Sequence, residues 1–235
     1  MFLIKNICFF HEKNYDLCYS KMKKKVSKNN VWFYLFFILL NGNYGAEDLQ
    51  SWSSLNIETK LPYSFKIGLE QELRLNNQAS SFQQTFSEIL LSYIVKDGIK
   101  LFIPFRYAIY NEKVKQRISF GGSFQHNLKL IDLKYRTKIQ RTHKNGDFSD
   151  EVFINKFSIQ YKIIKKIKPF LSLELFHLNH KNHYKFDESR FSLGTSIDLS
   201  RKKSIKVFYI LKKEKIIQIN PDKIHVLGWS FNYKW

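Results

Sequence analysis

The last stretch of the chain alternates without a break: Leu227, Trp229, Phe231, Tyr233 and Trp235 are separated by Gly228, Ser230, Asn232 and Lys234. Successive side chains of a strand point to opposite sides, so this segment reads as a strand with one apolar, mostly aromatic side and one small or polar side. The same period of two runs back to about Gln50. Its cleanest instance is Ile99, Leu101, Ile103, Phe105, Tyr107 and Ile109, facing away from Lys100, Pro104, Arg106 and Ala108. Most segments match the ~9–11 residues that a tilted strand needs to cross a bilayer, against about 5–6 for an ordinary strand. The expected fold is all-β, an antiparallel transmembrane β-barrel of about 10–12 strands. An ordinary soluble secreted β-sandwich is the competing expectation.

A mean hydropathy of −0.35 is too polar for a bundle of transmembrane helices. It suits a barrel, which hides its lipid-facing residues at every second position. Aromatics at 17% supply a lipid-facing band and interfacial girdles. Turn residues divide the pattern into eleven segments, whereas bacterial barrels usually have an even number. The mismatch falls on residues 50–61, which either lie outside the wall, giving ten strands, or have an unrecognised partner, giving twelve. Connections look short at 62–64, 96–98, 129–130, 164–168 and 200–203. They look mostly longer at 76–81, 143–150, 179–185 and 212–222, with 111–114 a short exception. That asymmetry places the final residues at the periplasmic, short-turn end. Leu227, Trp229, Phe231, Tyr233 and Trp235 then form the terminal signal expected to be read by the barrel assembly machinery.

Residues 22–46 carry the order of a secretory signal peptide: basic Lys23-Lys24-Lys25, the apolar run Val31–Leu40, then Asn41 to Ala46. The apolar run is too short to span a bilayer, which takes about 20 residues. Residues 1–21 do not belong to such a signal and read as an upstream extension from a mis-called start; residues 47–235 are the barrel. Both cysteines, Cys8 and Cys18, precede the cleavage region, so the mature chain is expected to have no thiol chemistry. Residues 1–46 hold seven of the 39 basic residues and two of the 20 acids, which leaves 32 against 18, a net of +14. No recognition motif or basic helix accompanies that charge, so nucleic acid is not an expected partner. The expected partners are outer-membrane lipid and the assembly machinery, and the expected location is the bacterial outer membrane after export through the periplasm.

The early Trp52, the run Gly68-Leu69-Glu70-Gln71-Glu72-Leu73-Arg74, the late Phe186-Asp187-Glu188-Ser189-Arg190-Phe191 and the aromatic end together resemble a family of outer-membrane barrels common in Bacteroidota and described only as a domain of unknown function. The resemblance spans nearly the whole mature chain. It implies an outer-membrane barrel and supplies no activity.

Chemistry is sparse. The polar face carries Glu70, Glu72, Glu174, Asp187 and Glu188 against Arg74, Arg106, Arg136 and Arg190. Such charges either hold a narrow barrel in register as a paired network or line a solute path; the paired network is the simpler reading. His177, His180 and His183 recur at a spacing that does not align ligands on one strand face, so no metal is expected. With Ser189 and Glu188 on the next strand, His177 and His180 suggest a lipid-modifying Ser/His site at the outer rim as an alternative. No catalytic residue, metal or cofactor is expected, and no glycine-rich phosphate loop is present. The expected role is structural or passive small-solute transport.

Overall fold

The computed structural model describes residues 48–144, 147–162, 166–180, 183–218 and 220–235. The expected signal peptide and upstream extension lie outside these residues. Eleven strands follow one another: β1 (Asp48–Lys60), β2 (Phe65–Asn76), β3 (Ser81–Lys96), β4 (Ile99–Tyr110), β5 (Val114–Asn127), β6 (Ile131–Lys144), β7 (Asp147–Tyr161), β8 (Ile167–His180), β9 (His183–Asp198), β10 (Lys203–Glu214) and β11 (Asp222–Lys234). They close into one barrel, each paired with its chain neighbours and β1 with β11. Closure overturns the sandwich expectation, because neither end strand keeps a free edge.

The count is eleven, neither ten nor twelve. Residues 50–61 belong to the wall, and the odd number is absorbed at the seam. There β1 runs parallel to β11, from Asp48 opposite Ile224 to Glu58 opposite Lys234, while the other ten pairs are antiparallel. An uninterrupted ladder satisfies the backbone of both strands whichever way they run, which is what closure demands. Trp235 extends the seam by donating its N–H to the Glu58 carbonyl at 2.8 Å.

The two barrel ends differ less in loop length than the sequence suggests. β6 runs to Lys144 and β7 starts at Asp147, and β8 runs to His180 with β9 starting at His183. Most of the expected loops 143–150 and 179–185 is therefore strand. Polar side chains sustain the wall there: the Glu151 carboxylate accepts from Arg141 Nε at 2.7 Å, Asn179 Nδ2 at 3.2 Å and the Tyr184 hydroxyl at 2.5 Å. Only the connection after β10 is long. At the opposite, turn end, the predicted tight turn forms at Asp97-Gly98. Gly98 has φ 83°, and a Cβ there would lie 2.4 Å from the Gln125 carbonyl oxygen, so glycine is required.

The alternation sorts cleanly into two faces. Outward residues include Leu69, Ile89, Ile103, Phe120, Phe157, Val207, Leu227 and Trp229, all exposed although large and apolar. Rings gather toward the turn end, with Phe65 against Tyr93 at 4.9 Å and Tyr135 against Phe157 at 4.8 Å. The inward face is mostly polar, and among its apolar residues are rings that lie along the wall over inward glycines. Phe208 is paired with both Gly228 and Gly194, Phe102 with Gly121, and Phe170 with Gly194. A Cβ on Gly228 would meet the Phe208 ring at 2.3 Å, so the ring occupies the place of the missing side chain. A small apolar cluster of Trp52, Ile210 and Val226, with Phe208 and Ile224 against it, sits inside the seam.

Candidate functional site, the lumen layer

Trp52 is the centre of the best-built polar site. It lies on the inward face of β1, 5% exposed, and its indole N–H donates to Gln50 Oε1 at 3.2 Å. The Arg74 guanidinium, from β2, stacks on its ring with Cζ 3.6 Å from the ring centroid, and Arg190, from β9, approaches to 5.6 Å. Each arginine is neutralised by the glutamate two residues before it on the same inward face. Glu72 Oε1 accepts from Arg74 Nε at 2.5 Å, and Glu188 pairs with Arg190. The i, i+2 spacing does this directly, since positions two apart share a strand face. The amide of Gln84, with its carbonyl oxygen turned to Arg74 Nη1 at 2.9 Å, adds a further acceptor.

The layer continues around the barrel. Arg106 stacks on Phe86 at 3.6 Å and pairs with Glu88 at 2.7 Å, and Arg190 also lies 4.4 Å from the Phe176 ring. Glu174 takes Arg136 at 3.1 Å and Lys156 at 3.6 Å, and Lys212 approaches Glu188 at 3.9 Å. Guanidinium–aromatic stacking withdrawn from bulk water is worth up to ~2 kcal/mol per contact. Removing one partner of a buried pair costs more, because the other charge is stranded.

The predicted network residues are thus mostly brought together: Glu72, Arg74, Arg106, Arg136, Glu174, Glu188 and Arg190 face the lumen in pairs. Glu70 faces inward too and lies opposite Glu88 across the β2–β3 ladder. Asp187 does not join them. It is the residue skipped where the β8–β9 register shifts, and its carbonyl accepts from the Ile216 N–H at the loop end. Sequence reading missed Trp52, Phe86 and Phe176 as part of the layer, because a lone inward aromatic carries no mark distinguishing it from wall filling. Leu227, Trp229, Phe231, Tyr233 and Trp235 fall on the outward face of the closing segment.

Of the rim alternative's residues, Ser189 falls on the outward face with His177, opposite Leu175, and Glu188 does not. His177 packs outward between Phe153 and Phe186, at 6.2 and 5.6 Å, while Glu188 points inward to Arg190 and Lys212. The wall stands between them. The side chains of His180 and His183 lie outside the described residues. Among the described residues, no group of three or more His, Cys, Asp or Glu side chains is placed to hold a metal ion.

A family model described as "Protein of unknown function (DUF2490)" matches residues 49–218. The match includes Trp52, Gly68–Arg74 and Phe186–Phe191. No curated protein matches the sequence. Among solved structures, the chain is similar to the NanC porin, with TM-score 0.52 and 11% identity over 81% of this chain and 100% of that one. It is also similar to the KdgM porin, with TM-score 0.43 and 12% identity over 67% and 80%. A bacterial polysaccharide outer membrane secretin gives TM-score 0.49 and 9% identity over 72% and 63%. The first of these shows a porin-like barrel fold.

Proposed function

The chain belongs to the DUF2490 family of proteins of unknown function, and from that premise we propose that it is a non-enzymatic outer-membrane barrel whose lumen is narrowed by the Trp52 layer. Its role is to hold a rigid wall and to pass small solutes passively, if slowly. The observation that carries this reading is the convergence of Trp52, Glu72-x-Arg74 and Glu188-x-Arg190 on one point inside the barrel. The three short motifs behind the family resemblance meet in one structural unit, a constriction built on Trp52, Arg74 and Arg190. The outward belt of exposed apolar residues supports a lipid setting, since a soluble protein rarely exposes a contiguous apolar patch of that extent. The separation of His177 from Glu188 by the wall supports the absence of rim chemistry.

The test is conductance in planar bilayers, with folding checked by the mobility difference between unheated and boiled samples. Wild type is expected to pass little current, and Trp52→Ala to raise it several-fold while keeping the folded band. A large wild-type conductance that ignores Trp52→Ala overturns the constriction. Alanine at His177 and His180 is expected to leave envelope lipids unchanged; loss of a lipid-hydrolase activity overturns the non-enzymatic reading.

A further inference from the structure

The turn-end half of the lumen holds more positive charge than its acids can balance. Most acids there are already engaged: Glu58 by Lys66 at 3.3 Å, Asp132 by Lys162 at 2.6 Å, Asp198 by Lys168 at 2.5 Å, and Glu174 by Arg136 and Lys156, while Glu70 makes no ion pair among the described residues and is the acid that acts on Lys206. Three inward lysines on three strands, Lys100 of β4, Lys134 of β6 and Lys206 of β10, have no ion pair among the described residues. The register shows how they come together. Lys100 lies in the row Ser123–Arg136–Lys156, Lys134 in the row Ser158–Ser172–Ser192, and Lys206 between Ser196 and Ser230. The charges around Lys134 are the cations Lys100, Arg136, Lys206 and Lys156, whereas Lys100 also has Glu58 near it and Lys206 has Glu70. Lys134 and Lys206 are exposed to the lumen, whereas Ser123, Ser172, Ser192, Ser196 and Ser230 are buried between them as a floor of hydroxyls.

Like charges held together in a confined lumen repel, and a bound anion relieves the arrangement. Ammonium groups over a hydroxyl floor suit an oxyanion, which accepts several hydrogen bonds at once. Spread over three strands, they suit one carrying several charges. We propose that this half of the lumen is an anion-binding vestibule, entered from the turn-end mouth, for a soluble multivalent oxyanion held by Lys100, Lys134 and Lys206. The vestibule stands whether the Trp52 layer is open or closed.

The experiment is calorimetric titration of the refolded barrel in neutral detergent with inorganic tripolyphosphate at fixed ionic strength, and in parallel with citrate to compare phosphate with carboxylate. Wild type is expected to bind at least one of them. The variant Lys100→Gln/Lys134→Gln/Lys206→Gln is expected to bind roughly tenfold more weakly or worse. Lys129→Gln/Lys202→Gln, in exposed turns, serves as the control and is expected to bind as wild type. Without ligand, the triple variant is expected to be at least as stable as wild type, because it loses repulsion and breaks no pair. The proposal fails if wild type binds neither anion, if the control loses as much affinity as the triple variant, or if the triple variant is less stable than wild type without ligand.

Discussion

Replacing Gly228 with alanine isolates how the barrel stores its inward rings. A Cβ at Gly228 would lie 2.3 Å from Phe208 Cε2 and 2.4 Å from its Cζ, and the three nearest atoms all belong to that side chain. The ring must therefore leave its place along the wall, away from the cluster of Trp52, Ile210 and Val226. Overpacking of this kind costs about 2 kcal/mol. Phe208→Ala alone costs about 3 kcal/mol through lost contacts. In the double variant the new methyl enters space the ring has vacated. The pair should then cost no more than Phe208→Ala alone, a coupling of about 2 kcal/mol. Urea titration in lipid vesicles, followed by tryptophan fluorescence, measures all three variants. Gly121 is the control: its Cβ would meet the Thr137 carbonyl oxygen at 2.4 Å, which is backbone, so Phe102→Ala should not rescue Gly121→Ala. Additive costs at Gly228 and Phe208, near 5 kcal/mol together, would refute the account of rings filling glycine sites.

Glu174→Gln is expected to destabilise the barrel by roughly 2 kcal/mol, below the 3–5 typical of a broken buried pair because Arg136 and Lys156 are each about a third exposed. Glu151→Gln, on the outward polar cluster, should change the same urea midpoint little. An epitope placed just before Asp48 and another after Trp235 are expected on opposite sides of the membrane, as read by antibody access in intact and permeabilised cells. Both on one side would contradict the parallel seam.

The wall was the most legible part of the sequence, because alternation is a direct consequence of strand geometry. Leu227 to Trp235 and Ile99 to Ile109 declare their outward faces residue by residue. Strand ends beyond the apolar band were not legible: Arg141, Glu151, Asn179 and Tyr184 are polar and read as loop, yet they bond to one another across the ladder. The parity argument went astray at residues 50–61 because hairpin counting assumes that every strand pairs antiparallel. The charges of the lumen layer were visible as residue types, but their pairing was not. Trp52 and Arg190 are far apart in sequence and meet only once the barrel closes, which no local pattern encodes.

The parallel seam also restricts how this chain can be rearranged. In a barrel made only of hairpins, both ends emerge at one mouth, and a short linker can join them so that the ring is reopened elsewhere. Here the start of β1 and the end of β11 lie a full strand apart. For the 13 residues of β1, tilted as barrel strands are, that is about 30 Å. A linker of that reach would have to thread the lumen past Trp52 or lie along the lipid-facing wall with its backbone unsatisfied. Circular permutation, usually tolerated when termini are neighbours, is closed to this ring by its odd number of strands.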